Sequence, residues 1–335
     1  MKVAIFTEDK NIFIHLMTEM TKQSTKLTPK EIQLLSTSEL ENKEISYKDT
    51  TLTIENINSY KDFNNTNFAI FSVRKELTEK YIYDFIENNC VVLDDSGHFI
   101  KDNNIPTVDF SINPQDIKKY KNKNIIKLPS RNTLQLAEIL NILKQHNPIE
   151  KVVVSTYQST ASISKDAMDE LYLHTKKIYE NSFLSPIHFK KQIPFNVLPQ
   201  MGNPTENNHY EEENRIMAET KQLIDKKLKI STTCALVPTF NGDCQSLHIE
   251  FQNNINLNKI NEILENKPEQ TTIQDRFEDF NYATPKEVAL EDTIFISRIR
   301  KDIDQKNALN LWTVADSTTI HCKNIINRLN FLLAK

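Results

Sequence analysis

Glycine is nearly missing from this sequence. Only Gly97, Gly202 and Gly242 occur in 335 residues, where average usage of about 7% would supply more than twenty. Glycine serves backbone positions with positive φ and places where the chain must lie close against a ligand. A drift towards Lys, Asn and Ile can empty dispensable positions of glycine, but not those that a bound phosphate requires, so the shortage bears on function. Long apolar runs are missing too: none approaches the length needed to cross a bilayer. Glu8 and Asp9 follow Met1 too closely for a signal-peptide apolar region. The four cysteines (Cys90, Cys234, Cys244 and Cys322) show neither metal-ligand spacing nor the density of a disulfide framework. That usage fits a reducing, cytoplasmic location. An excess of positive charge is also absent, and a net charge of -4 argues against a binder of nucleic-acid backbone.

What is present points to a globular chain with room for two domains. The first 150 residues alternate short apolar runs with helical patterns, as βα units around a mainly parallel sheet do. Strands are expected at Lys2 to Phe6, Phe68 to Val73 and Cys90 to Leu93. Helices are expected at Asn11 to Met20, at Leu77 to Asn88 and, as an amphipathic element, at Asn132 to His146. Lys151 to Thr156 has the continuous apolar character of a strand buried on both faces. Helices then follow at Ser164 to Glu180 and Glu211 to Lys227. Longer runs at Ile230 to Phe240, Ser246 to Phe251, Thr293 to Lys301 and Leu309 to Ala315 read as a mixed sheet, and Thr319 to Leu333 as a closing helix. Residues 182–210, with four prolines, read as an extended loop.

Several stretches, in order, carry a family resemblance. They are Val152 to Gln158 (VVVSTYQ), Phe195 to Gln200 (FNVLPQ), Glu219-Thr220-Lys221, Val237-Pro238, Phe240-Asn241-Gly242, Arg298 to Asp302 (RIRKD) and Asn310-Leu311-Trp312. Together they resemble bacterial aspartate-semialdehyde dehydrogenase. The resemblance implies an α/β fold in two parts. A Rossmann-like NADP-binding-type domain spans 1–131 and is completed by the helix at 317–335; an α+β dimerisation and substrate-type domain spans 132–316.

That family's reaction uses a thiolate that attacks an aldehyde or acyl phosphate, with hydride exchange to NADP; a cysteine suits the step because its thiolate is strongly nucleophilic. The nucleophile-bearing segment corresponds here to Pro129-Ser130-Arg131-Asn132-Thr133, so Arg131 stands at the cysteine position, and a guanidinium is no nucleophile. At the base position, Gly242-Asp243-Cys244-Gln245-Ser246 offers Asp243 instead of histidine. The substrate arginines correspond to Ile100 and Leu236. Gln158, Arg215 and Glu219 remain as a residual polar pocket, although Arg215 and Glu219 also have the spacing of a helix-surface pair. The turn after the first strand, Thr7 to Phe13, has no glycine and two carboxylates where the family's glycine loop approaches pyrophosphate. Ser72 to Lys75 and Ala161 to Ser164 replace two further glycine-bearing stretches.

These substitutions lead to the expectation of a pseudoenzyme with an interaction or regulatory role and no bound cofactor. It would form a homodimer, or a heterodimer with an active paralogue. The alternatives are a divergent but active NADP-dependent semialdehyde dehydrogenase, for which Cys244, Arg74, Lys75 or Arg131 would be recruited, and a sensor of a small anion meeting Arg131 in the vacated cleft. Metal binding is not expected, since His98, His188 and His209 lack partners at ligand spacing. Lys118 to Lys127 reads as a solvated loop face, Cys244 as a small packing residue, and Trp312 as core.

Overall fold

The computed structural model describes residues 1–37, 39–266, 271–276 and 280–334. The chain divides into two compact units, Met1–Ser130 with His321–Lys335, and Arg131–Ile320.

In the first unit the strands are β1 (Val3–Thr7), β2 (Ile32–Ser36), β3 (Glu44–Tyr47), β4 (Thr50–Asn56), β5 (Phe68–Ser72), β6 (Val91–Asp94) and β7 (Ile125–Lys127). They form one sheet in the order β3-β4-β2-β1-β5-β6-β7, parallel except for the β3–β4 hairpin. The central strand VAIFT is buried along its whole length, as strands covered on both faces are. Its side chains alternate between two cores. Val3 and Ile5 join Phe13, Leu16 and Met17 of helix α1 (Lys10–Lys22), together with Ile325, Ile326 and Leu329 near the C-terminus. Ala4 and Phe6 join Tyr81, Ile82 and Phe85 of helix α2 (Lys75–Ile86). The sheet is thus the middle of three layers.

Lys118 to Lys127 bears out the expected solvated face only as far as Asn124, a stretch that is exposed or half-buried. Its end is strand β7, buried throughout, and the ammonium of Lys127 is satisfied by the carbonyls of Phe99 (3.2 Å) and Asp102 (2.9 Å). A lysine is tolerated there because its charge finds backbone acceptors.

The second unit holds helices α3 (Arg131–Lys144), α4 (Lys165–Tyr179), α5 (Glu211–Leu223) and α6 (Leu257–Glu265). Its strands are β8 (Ile149–Gln158), β9 (Lys229–Leu236), β10 (Asp243–Phe251), β11 (Thr271–Ile273), β12 (Asp275–Arg276), β13 (Asn281–Tyr282), β14 (Ile294–Lys301) and β15 (Ala308–Ala315). The main sheet runs β11-β14-β15-β10-β8-β9 and mixes parallel with antiparallel pairs. Helix α7 (Ser317–Leu333) begins in this unit and continues into the first.

Two expectations change here. Helix α3 is not amphipathic in its setting: every residue from Asn132 to Leu143 is buried, polar ones included, because amide and carboxyl side chains are drawn into the core. Strand β8 is buried on one face only, at Val152, Val154, Thr156 and Gln158. Val153, Ser155 and Tyr157 point to the other, half-open face, which also presents His248 and Trp312. Trp312 is half-buried there and packs against the small core of Cys244, Ala283, Val288 and Val314, so it is core at one side only.

Candidate active site

Within the second unit, Arg131 and Asp243 meet the same two segments. Asp243 opens β10 directly after Gly242. That glycine has φ +82°, and a Cβ there would stand 2.7 Å from Pro285 Cα, so the turn into the strand requires glycine. The Asp243 carboxylate is fully buried. Its Oδ1 accepts from Ser159 N (2.8 Å) and Ser159 Oγ (2.9 Å); its Oδ2 accepts from Ser162 Oγ and Ser317 Oγ, both at 2.6 Å. A carboxylate offers about four lone-pair sites, and four donors fill them. Asp243 is thereby fixed in place, with no acceptor direction left for a substrate proton.

Arg131 begins α3 and is half-buried. Its Nη1 donates to Ala161 O (3.2 Å) and to Thr318 Oγ1 (3.1 Å), and among the described residues it forms no ion pair. Arg131 therefore holds Ala161 and Thr318, while Asp243 holds their chain neighbours Ser162 and Ser317. The segment leaving β8 is joined to the first turn of α7 twice over. Gln135 Nε2 donates to Thr313 Oγ1 (2.9 Å) and Gln245 Nε2 to Asn132 O (2.8 Å), which ties the first turns of α3 to β15 and β10.

The thiols stand outside this arrangement. Cys244 is 3% exposed and packs with Ala283, Val288 and Val314. Burial pushes its thiol, and those of Cys90 and Cys234, up to about 12; Cys322 is fully buried. None is an exposed, ionised nucleophile.

Gln158 ends β8 with its amide turned back onto its own strand, donating to Thr156 Oγ1 (3.0 Å). Arg215 and Glu219 form an ion pair along α5, Nε to Oε1 at 2.8 Å. Leu236 lies in the apolar core and Ile100 is partly buried. His98 lies edge-on to Phe99, His188 is exposed, and His209 meets Glu213 at 3.3 Å. Among the described residues, no group of three or more His, Cys, Asp and Glu converges as metal ligands.

In the first unit, the carboxyl ends of β1, β5 and β6 form the edge where doubly wound sheets receive ligands. Asp9 caps α1, its Oδ1 accepting from Asn11 N (2.8 Å). Glu8 holds Arg74 through two bonds, to Nε (2.9 Å) and Nη2 (3.0 Å). Asp95 Oδ2 accepts from Ser72 Oγ (3.1 Å) and meets His321 Nε2 at 2.9 Å. These residues do not fit a pyrophosphate lodged at the start of α1, because Asp9 already occupies that end and adds negative charge. The sequence reading found the carboxylates of this turn and named Arg74 for a phosphate site, but not its pairing with Glu8, nor His321, nor the serines around Asp243. Ser72 and Asp95, each at the end of a parallel strand, were the available signal.

Residues 17–120 match the semialdehyde dehydrogenase NAD binding domain family, and residues 140–320 the semialdehyde dehydrogenase dimerisation domain family. The chain is 36% identical over 275 residues to aspartate-semialdehyde dehydrogenase of Rickettsia bellii, covering 82% of this chain and 81% of that one. The crystal structure of aspartate semialdehyde dehydrogenase II from Vibrio cholerae, complexed with ASA, superposes with a TM-score of 0.93 at 26% identity, covering 100% of this chain and 98% of that one. The Candida albicans enzyme, crystallised with NADP, shares the fold at a TM-score of 0.70 and 14% identity, covering 99% of this chain and 97% of that one.

Two expectations are corrected by these matches. That the chain is not an enzyme fails against relatives named as dehydrogenases over four-fifths of its length. That it takes no cofactor fails against the NAD binding domain match. Both expectations rest on single side chains, at Arg131, Asp243 and the glycine-free turn, whereas the matches extend over the whole fold. The chain belongs to the aspartate-semialdehyde dehydrogenase family.

Proposed function

We propose that this protein is an NADP-dependent dehydrogenase of a short semialdehyde, divergent at the centre of its site, and that it works as a homodimer. The observation that carries the reading is that both halves match the family, cofactor-type domain and dimerisation domain alike. In the roles implied by the resemblance, Arg131 stands at the nucleophile position and Asp243 at the base position, with Gln158, Arg215 and Glu219 as the polar pocket.

Burial raises the thiols of Cys90, Cys234 and Cys244 to about 12, and Cys322 is fully buried, so this reading does not rest on a cysteine thiolate. Arg131 can do something else. A half-buried guanidinium without a carboxylate partner attracts an anionic group and orients it in bidentate fashion. The carboxylate of a semialdehyde, or a phosphate, has the required charge. Asp243 keeps the segments on either side of Arg131 in register. The half-open face of the second unit's sheet, with Val153, Tyr157 and Trp312, is the surface that dimer formation would cover.

The test combines NADP titration by calorimetry with NADPH absorbance during incubation with aspartate semialdehyde and phosphate. Saturable turnover supports the reading. NADP binding with no turnover of that or any related semialdehyde sinks the dehydrogenase assignment, and absence of binding sinks the cofactor assignment too. Light scattering that finds only monomer removes the dimer, and a stable mass only with a second chain would replace it by a heterodimer.

A further inference from the structure

The first turn poses a problem for any phosphate-bearing cofactor. Glu8 and Asp9 put two carboxylates where a dinucleotide's phosphates would come nearest the carboxyl edge of β1 and β5. Asp9 is committed to capping α1. Glu8 is committed to Arg74, whose side chain is 71% exposed against 27% for Glu8. Arg74 follows β5, the strand beside β1, so its guanidinium lies over the very turn that lacks glycine.

Taking the dinucleotide reading above as its basis, we propose that Arg74 is the phosphate-receiving arm of this protein and that Glu8 is its latch. In the free protein Glu8 holds the guanidinium through a two-point contact; on cofactor binding Arg74 leaves Glu8 and takes a phosphate with the same fork geometry. The exchange is feasible because an exposed ion pair is weak and the guanidinium fork binds phosphate oxygens in the same bidentate geometry as a carboxylate. Glu8 is left facing the bound phosphate and opposes it, so the latch lowers affinity. The glycine-free turn is then compatible with a dinucleotide, since the phosphate is received by a side chain from β5 rather than by backbone amides of the turn.

Calorimetric titration of the full chain with NADP, NAD and inorganic phosphate tests this, for the wild type, Glu8→Gln, Arg74→Ala and Arg74→Lys. Glu8→Gln is expected to bind NADP roughly fivefold tighter, the equivalent of the upper end of an exposed pair's strength. Arg74→Ala is expected to bind at least about fivefold weaker, and Arg74→Lys to fall between, because lysine lacks the fork. Tightening of NADP alone places Arg74 on the phosphate that NAD lacks; equal tightening of NAD places it on the pyrophosphate; either supports the proposal. Unchanged NADP affinity in Glu8→Gln or in Arg74→Ala overturns it while leaving the cofactor reading intact. No binding to the wild type or any variant overturns both. Unliganded melting temperatures of the variants, expected within about 2 °C of wild type for an exposed pair, control for folding.

Discussion

Replacing Asp243 separates a fixed anchor from a proton acceptor. Its carboxylate is 0% exposed and accepts from one amide and three serine hydroxyls at 2.6–2.9 Å. In Asp243→Ala all four donors lose their acceptor. Hydrogen bonds to a charged group contribute about 1.5–3 kcal/mol each, but the three hydroxyls can rotate towards other acceptors and the amide of Ser159 cannot. A net loss of about 3–5 kcal/mol follows, on the order of one or two buried donors left unsatisfied. Asp243→Asn keeps the shape and one acceptor oxygen, and its amide can donate to a rotated hydroxyl. Only the charge assistance is lost, about 1–2 kcal/mol. At roughly 2–4 °C per kcal/mol for a unit of this size, Ala lowers the melting temperature by on the order of 10 °C and Asn by a few degrees. Calorimetric melting of the purified variants reads the order wild type, Asn, Ala. An Ala variant that melts within about 1 °C of wild type refutes the anchor argument.

Three other outcomes are expected. The thiols of Cys90, Cys234 and Cys244 are raised by burial from 9.0 to about 12. Their stability contribution is therefore complete below the unfolded value, near pH 9, and is lost as pH rises towards 12, because the unfolded chain ionises first. Urea midpoints should fall as pH rises across that window, less steeply in Cys90→Ala, and a thiol reagent should label the native protein far more slowly than the unfolded one. Arg328 lies in the first unit, 1% exposed, and donates to Asp109 Oδ2 (2.8 Å), Val108 O (2.8 Å) and Asn324 O (2.7 Å). Arg328→Leu leaves the Asp109 carboxylate buried and should cost about 3–5 kcal/mol in chemical denaturation; a midpoint equal to wild type would contradict it. Gly242→Asn should destabilise more than Gly202→Asn, since a Cβ at 242 meets Pro285 backbone at 2.7 Å while one at 202 meets the side chain of Glu211 at 3.0 Å; equal melting temperatures would show that the Pro285 contact yields.

Elements with a strong period were legible before any coordinates. Helix α1, with Ile12, Leu16 and Met20 on its buried side, and the strands VAIFT and FAIFS read directly from spacing. The β3–β4 hairpin did not, because TTLTIEN alternates weakly and is mostly exposed although it lies between β2 and the edge strand β3. Strand β7 was hidden by flanking lysines and asparagines, and its brevity leaves no period to detect. At the candidate site, Arg131 was visible as a residue at a helix start, and the Arg215–Glu219 pair as a spacing of four. The state of Asp243 was not, because its partners Ser159, Ser162 and Ser317 lie 84, 81 and 74 positions away. Nothing local marks those serines as its donors.

The glycine shortage turns out to carry two different messages. All three glycines have positive φ, and eleven other described residues do as well, among them Asn42, Asn89, Asn124, Asn181 and Asn208. Asparagine tolerates the left-handed region better than other residues with a side chain, so an Asn-rich chain can lose glycine from ordinary turns and keep its fold. At those positions the shortage says nothing about activity. Gly242 persists because conformation alone does not decide it: the neighbouring Pro285 backbone excludes any Cβ. The turn after β1 belongs to neither case. It carries Glu8 and Asp9, one paired with Arg74 and one capping α1, so the charged side chains of this turn have partners of their own. A drift in composition accounts for asparagine in turns; it does not account for a carboxylate held by an arginine at the edge of a nucleotide-binding sheet. The pair leaves the family fold intact because neither Glu8 nor Arg74 contributes to the apolar cores on the two faces of the sheet.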